Sequence, residues 1–304
     1  MRVLFITNSA TERCGVRLFG ELWMAAVRAQ GIDIVEWDGT YQSIQARGGQ
    51  YLPDDVNGYD LVHLNWDPQA INHYVPQHFA GMRPPLSLFL HDVPPNSTCP
   101  VQGQAALVMA HEPGEGIIQI EHAVPTYRPS IALHDGFVVG TAGIRDDPGV
   151  TLVSQVCARN GWGHSASGAH GRWLTTEEEI DRLARCHVNV CWYQTSGRGK
   201  SMAAMFMVAA RRPMVLSRST MFSALRRSRW RDEFTEAFST HDAFNVPTRN
   251  YGSLDYLERA ISYAYEGGCI PLTAAHELSW TVRAKEIARY WLSTALNQSL
   301  AHTP

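Results

Sequence analysis

Short β-rich apolar runs alternate with helix-like runs along this chain, and that alternation restricts it to a narrow set of folds. Arg2–Ile6 is a strand-like run, and Val16–Gln30 follows with apolar residues at helical spacing before Gly31 closes it. Ile32–Glu36, Asp60–Leu64 and Leu86–Leu90 are further strand candidates, with Leu107–Met109 and Ile117–Ile120 as two more. Strands separated by helical patterns imply βαβ units and a parallel sheet. The pattern breaks at the connector Pro125–Pro129 and restarts with Gly136–Gly140. A helix over Thr175–Arg185 is announced by Thr176 with Glu179 three residues on and by acidic residues in its first turn. Val188–Trp192 and Met214–Ser217 read as strands, Ala203–Ala210 as the helix between them, and Leu254–Glu266 and Ser279–Asn297 as amphipathic helices. Two α/β halves joined near residues 125–132 account for this order.

A length of 304 residues accommodates two such halves. The chain is 45% hydrophobic and 18% charged with nine Trp, which suits substantial cores and argues against disorder. A formal net charge of −3 gives no global attraction to nucleic acid or membrane. No apolar run approaches the roughly 20 residues that span a bilayer. Met1–Thr7 has neither a long apolar region nor an A-x-A site, so the expectation is a cytoplasmic protein without a signal peptide. The six cysteines contain no C-x-x-C pair, and the thirteen histidines show no H-E-x-x-H spacing. Neither a disulfide framework nor a metal site is indicated.

The stretch Tyr193–Met202 is the strongest chemical signal. It lies between the strand ending at Trp192 and a helix, and it is made of small residues with two cations: Thr195, Ser196, Gly197, Arg198, Gly199, Lys200 and Ser201. Free backbone N–H groups and the positive end of a helix dipole hold phosphate at such a turn. Gly197-Arg-Gly-Lys-Ser201 is like a Walker loop but lacks the first glycine of that spacing. A solvated basic turn is the alternative.

Several separated pieces then resemble a GT-B glycosyltransferase of the large retaining, family 4-like group, in the order that group has them. Cys14-Gly-Val16 is similar to its Gly-Gly-Val loop, Asp60–His63 to its YDLVH strand, and Phe89–Asp92 to the strand ending in His-Asp. Phe137–Gly143 with Arg145 and Pro148-Gly149 resembles the strand opening the donor domain, and Thr176–Tyr193 its following helix–strand unit. The resemblance implies an α/β GT-B fold, two Rossmann-like doubly wound domains facing a central cleft. The boundaries it implies are an acceptor-side domain at 1–127, a donor domain at 128–280 and a final helix at 281–304 crossing back to the first. Two departures stand out: no glutamate flanks the 195–201 loop, and Pro148 stands where Lys is usual.

What the resemblance implies about chemistry is transfer of a hexose-type sugar from a UDP- or GDP-sugar, as co-substrate, to an acceptor hydroxyl. Gly15, Arg145, residues 195–201, Arg218 and Phe222 would hold the donor. Cations and N–H donors could stabilise the leaving diphosphate without metal. His91 and Asp92 lie at a strand end, where doubly wound sheets place ligands; Asp92 is the candidate base and His91 a contact to the donor sugar. The alternative is that Asp92 caps the turn before Pro94-Pro95 and His91 merely packs. Acceptor-side candidates are Cys14, Arg17, Asn65, Trp66, Glu112 and Glu115, with Trp66 either a stacking platform or a core residue. The basic stretch Leu225–Arg231, with its Trp230, hints at a DNA acceptor, and the following Asp232, Glu233 and Glu236 favour a solvated helix face instead. Two other readings stay open: a DNA-modifying enzyme acting on a hydroxymethylated base, and a nucleotide-sugar binder without catalysis.

Overall fold

In the computed structural model, the residues described are 1–8, 15–91, 99–111, 114–142, 148–167, 174–191, 202–217, 254–267 and 270–301. They form two compact units, Met1–Glu121 with Trp280–Pro304, and His122–Ser279.

The first unit is built on six parallel strands, β1 (Arg2–Thr7), β2 (Asp33–Asp38), β3 (Leu61–Trp66), β4 (Leu86–Leu90), β5 (Leu107–Ala110) and β6 (Ile118–Gln119), in the order β2-β1-β3-β4-β5-β6. β3 and β4 are buried along their whole length. That is why both carry apolar side chains at odd and even positions alike, Leu61 and Val62 in β3 and Leu88 and Phe89 in β4: each sheet face is covered. On one face, Phe5, His63 and Phe89 pack against Trp23 of α1 (Gly15–Arg28), and Phe5 and His63 also meet Trp291 of the final helix, α8 (Trp280–Ala301). On the other, Leu4, Ile6, Val62, Leu64, Trp66, Leu88 and Leu90 form a core with Ile44 of α2 (Tyr41–Ala46), Ile71, Tyr74 and Phe79. Placing helices on both faces requires the chain to reverse its direction of travel across the sheet. It does so between β1 and β3, because β1 leads outward to β2 and the chain then returns to pair β3 on β1's other side. Ligand crevices of doubly wound sheets lie outside the carboxyl ends of the strands at that point.

Four parallel strands make the second sheet: β7 (Val138–Thr141), β8 (Gly163–Ala166), β9 (Val188–Cys191) and β10 (Met214–Leu216), ordered β10-β9-β7-β8. Val139, Val188, Val190 and Val215 pack on α3 (Pro148–Asn160) and α6 (Leu254–Gly267). The opposite face meets α4 (Thr176–Ala184) and α5 (Met202–Ala210), and α7 (Leu272–Glu277) rests on α5. α5 is buried along all of its length except Ala203, as its uniformly apolar sequence requires. Reversal falls here between β7 and β9.

Four elements were not read from the sequence: α2, α3, α7 and β8. α3 opens with Pro148 and Gly149, residues that read as a loop but that suit a first helical turn, where proline's missing N–H has no partner to lose. The cap of α4 is one residue earlier than its sequence suggests. Thr175 accepts from the Glu178 amide, and the Glu178 carboxylate accepts from the Thr175 amide, so the box is Thr175/Glu178 rather than Thr176/Glu179. Glu179 turns inward instead. None of the described helices is long and apolar enough to cross a membrane.

Candidate active site

In the first unit three side chains link the carboxyl ends of β1, β3 and β4. The Asn65 amide nitrogen donates to Thr7 Oγ1 at 3.1 Å, and His91 Nε2 lies 2.7 Å from Asn65 Oδ1. Thr7 and Asn65 are fully buried and His91 nearly so. Each projects toward α1 because strand side chains alternate and these positions share the parity of Phe5, His63 and Phe89. α1 approaches the pair closely at Gly20. A Cβ there would stand 3.0 Å from Thr7 Oγ1 and 3.3 Å from Asn65 Nδ2.

Burial pushes the His91 imidazole well below its ordinary pKa, with neighbouring His111 and His63 adding to the effect. The ring is therefore neutral throughout the physiological range. Phe19 and Phe89 enclose it, with ring centroids at 5.0 and 4.8 Å. His63 lies one layer deeper, its Nδ1 3.1 Å from Ser87 Oγ, and burial lowers it to about 3. His63 is a core histidine.

The remaining acceptor-side candidates separate. Arg17, from the first turns of α1, is buried and committed to its own unit: it donates to the Asn8 carbonyl at 3.0 Å, to Glu21 at 2.8 Å and to Glu36. Trp66 is 3% exposed, on the opposite side of the sheet from Asn65, so its ring packs in the core and offers no face for sugar stacking. Glu115 is exposed. Gly15 is the first residue of α1, where backbone N–H groups lack intrahelical partners. Cys14, Asp92 and Glu112 lie outside the described residues.

In the second unit β7 and β9 run side by side, with Thr141 paired to Val190. Residues 143–147, including Arg145, follow β7, and residues 192–201, including Thr195 to Ser201, follow β9. These segments lie outside the described residues, as do Arg218, Phe222 and the basic stretch 225–231. Both nevertheless start from neighbouring strand ends, at the place where this sheet reverses. The second of them runs into α5, whose first turn carries orphan N–H donors.

The ends of β7 and β8 are tied by a group that sequence reasoning missed. Arg182 of α4, buried, donates to the Thr141 carbonyl at 2.6 Å, the Ser165 carbonyl at 2.5 Å, Ser165 Oγ at 3.0 Å and Ser167 Oγ at 3.2 Å. Its charge is matched by Glu179, held at 2.9 and 2.7 Å in a two-point contact. Glu179 also accepts from Ser167 at 2.6 Å. Such a pair three residues apart on a helix reads in sequence as a solvated surface contact, and only the packing turns it inward. His164 Nε2 is 3.0 Å from Thr141 Oγ1, and burial, with the Arg182 charge behind it, lowers its pKa.

Cys99 and Cys157 are buried free thiols whose pKa burial pushes up to about 11, Cys186 is also buried and free, and Cys191 is buried. Among the described residues no group of three or more His, Cys, Asp or Glu side chains is arranged to hold a metal ion.

No protein-family model matches the chain, and no curated protein matches its sequence. Solved structures do match. An alpha-glucosyltransferase in complex with UDP and a 13-mer DNA containing an HMU base superposes with a TM-score of 0.52 at 8% identity, over 96% of this chain and 99% of that one. An alpha-glucosyltransferase in complex with UDP gives 0.51 at 10% identity, over 96% and 100%. The chain has the GT-B fold. An alpha1,3-fucosyltransferase adds a TM-score of 0.50 at 11% identity, over 97% and 90%. Near-complete coverage in both directions means the GT-B likeness extends over both units, as the separated motifs of the sequence implied.

Proposed function

We propose that this chain is a cytoplasmic glycosyltransferase moving a hexose-type sugar from a UDP- or GDP-sugar to an acceptor hydroxyl without a metal ion. The observation that carries this reading is the second sheet. Arg145 and the 195–201 loop follow adjacent strands at the reversal point, and the loop enters α5. As the sugar–phosphate bond breaks, negative charge accumulates on the nucleoside diphosphate. Arg145, Arg198 and Lys200, with the first N–H groups of α5, supply preorganised positive potential for it. Arg offers two-point contacts and Lys a point charge. Activity is expected to persist in the presence of a chelator.

On the acceptor side, Asp92 follows directly on the Thr7–Asn65–His91 chain, and we assign it the role of base. Asp92→Asn keeps the geometry and removes the basic oxygen, so kcat is expected to fall by about 10²–10⁴-fold with donor affinity retained. Steady-state kinetics with a titrated donor checks this; near-normal turnover would transfer the role to Glu112, Glu115 or His91.

A DNA acceptor is a second reading, favoured by the alpha-glucosyltransferase bound to DNA with an HMU base, which matches over 99% of its own length. The basic, aromatic stretch 225–231 supplies residue types suited to phosphate and base contact. A nucleotide-sugar binder without catalysis is the third, motivated by the absence of glutamates flanking the donor loop. One experiment orders the three: nucleoside diphosphate release from a panel of UDP- and GDP-sugars, with glycan, small-molecule and hydroxymethylated-DNA acceptors. Release stimulated by an acceptor supports transfer and names its class. Donor binding without release in any arm identifies a binder, and absence of any nucleotide binding rejects all three.

A further inference from the structure

We propose that the last turns of α8 dock on an anionic lipid surface. Leu292, Leu296 and Leu300 enter the boundary between headgroups and acyl chains, and Lys285 and Arg289 meet the lipid phosphates. The proposal goes beyond glycosyl transfer and does not depend on it.

α8 has two parts. In the first, Trp280, Ala284, Ile287, Ala288 and Trp291 are buried, and the Trp291 indole N–H donates to Ser87 Oγ at 3.2 Å. Beyond that anchor none of residues 292–300 is buried, although the helix continues to Ala301. The extension adds about 15 Å of helix, a length of marginal stability in water unless a surface supports it. Its leucines are the most exposed part: Leu292 is 45%, Leu296 62% and Leu300 72% exposed. Spacing of four residues sets the three on one side of the helix. Val282, 39% exposed, and the exposed Lys285 and Arg289 continue the same stripe at spacings of three and four.

The stripe's chemistry selects its partner. Exposed leucines in a row fit an apolar medium, and cations in line with them fit an anionic one. Residues 287–304 contain no Asp or Glu, and Glu286, beside the stripe, pairs with Arg283 at 2.7 Å. Lys285 and Arg289 thus share their stripe with apolar side chains and no carboxylate. A formal net charge of −3 gives the molecule no general attraction to anions, so contact is confined to this stripe. α8 is not apolar enough to span a bilayer. It therefore lies in the plane of the interface, with its cations at phosphate level and its leucines beneath.

A second copy of the chain fits less well. Parallel pairing of two α8 stripes sets Lys285 and Arg289 against their own counterparts. Antiparallel pairing about Leu296 leaves only three leucines from each copy. These offer far less than the roughly 800 Å² per partner of a stable interface. A lipid surface accommodates the leucines and the cations together.

The test is sedimentation of the full chain with vesicles, one set of phosphatidylcholine alone and one containing about a third phosphatidylserine. Binding to the anionic set is expected, about tenfold or more tighter than to the neutral set and weakened by added salt. Lys285→Gln with Arg289→Gln is expected to weaken it about twentyfold, close to fivefold per cation. Leu296→Ser with Leu300→Ser is expected to weaken it by about tenfold or more. All four positions are exposed, and thermal denaturation checks that both variants fold. No binding to anionic vesicles, equal binding to both sets, or unaltered binding in either double variant overturns the proposal. Self-association that the leucine variant abolishes, with no vesicle binding, overturns it as well and assigns the stripe to a second copy.

Discussion

At the carboxyl end of the first sheet, uncharged Thr7, Asn65 and His91 hydrogen-bond across three strands; at the same end of the second, the buried ions Arg182 and Glu179 hold the backbone of two. The first spans the point where its sheet reverses direction, between β1 and β3, whereas the second ties β7 to β8, one strand away from the reversal between β7 and β9. They differ in what happens when one member is lost. A neutral chain that loses a partner leaves a dipole unsatisfied, whereas an ion pair that loses a partner leaves a buried charge. The first assembly includes, with its neighbour His63, two imidazoles whose pKa values are depressed by burial.

The comparison can be broken most forcefully at Arg182. Arg182→Ala should cost about 3–5 kcal/mol, because Glu179 is left charged and buried and two strand-end carbonyls lose their donor. The double variant Arg182→Leu with Glu179→Leu should recover a large part of that loss. Urea denaturation measures both, and equal losses in single and double variants would show that the charge itself does not matter.

Acid should act on the first sheet. His63 titrates near 3 and His91 well below its ordinary value in the folded protein, against about 6.5 unfolded. Both are depressed in the folded state, so the unfolded state binds more protons in the window below 6.5. Stability is complete above the unfolded pKa and falls as pH drops from 6.5 toward 3. The slope is about 1.4 kcal/mol per pH unit for each histidine. His63→Phe should shallow the loss between pH 6.5 and 5 by about 2 kcal/mol, read from denaturation midpoints across that range. An unchanged slope would locate the sensitivity elsewhere.

Binding should separate the units in the opposite sense. Lys200→Ala and Arg198→Ala are each expected to weaken UDP or GDP affinity by about 1.5–3 kcal/mol, the value of a charge-assisted hydrogen bond. Calorimetric titration with the nucleoside diphosphate checks it, and unaltered affinity in both variants would remove the 195–201 loop from the site. The smallest effect is expected at the cap of α4. Thr175→Ala should cost about 1 kcal/mol, while Thr176→Ala, outside the reciprocal pair, should cost less.

Most of the strands were legible because short, mainly apolar runs such as Leu86–Leu90 are what a sheet covered on both faces demands. The elements that escaped were those with weak local signals. α3 begins Pro-Gly, β8 is the short polar-looking Gly163–Ala166, and α2 and α7 are only six residues long. At the candidate site, Asn65 and His91 were singled out from their place at strand ends, and the structure joins them by a hydrogen bond. Trp66 was equally well placed in sequence, and the parity of one residue put its ring in the opposite core.

By itself, then, the sequence determined the α/β alternation, two units, parallel strands and a loop of small and cationic residues ahead of a helix. These follow from local periodicity and composition, which a linear string carries. Only the tertiary structure decided strand order, hence where each sheet reverses and which strand ends lie side by side. It also decided that Arg182 and Glu179 turn inward and that Thr7, Asn65 and His91 form one chain. The contacts among Thr7, Asn65 and His91 join residues 58 and 26 positions apart. Their partners are set by which strands lie adjacent in the sheet and by the face each side chain takes, information absent from any short window of sequence.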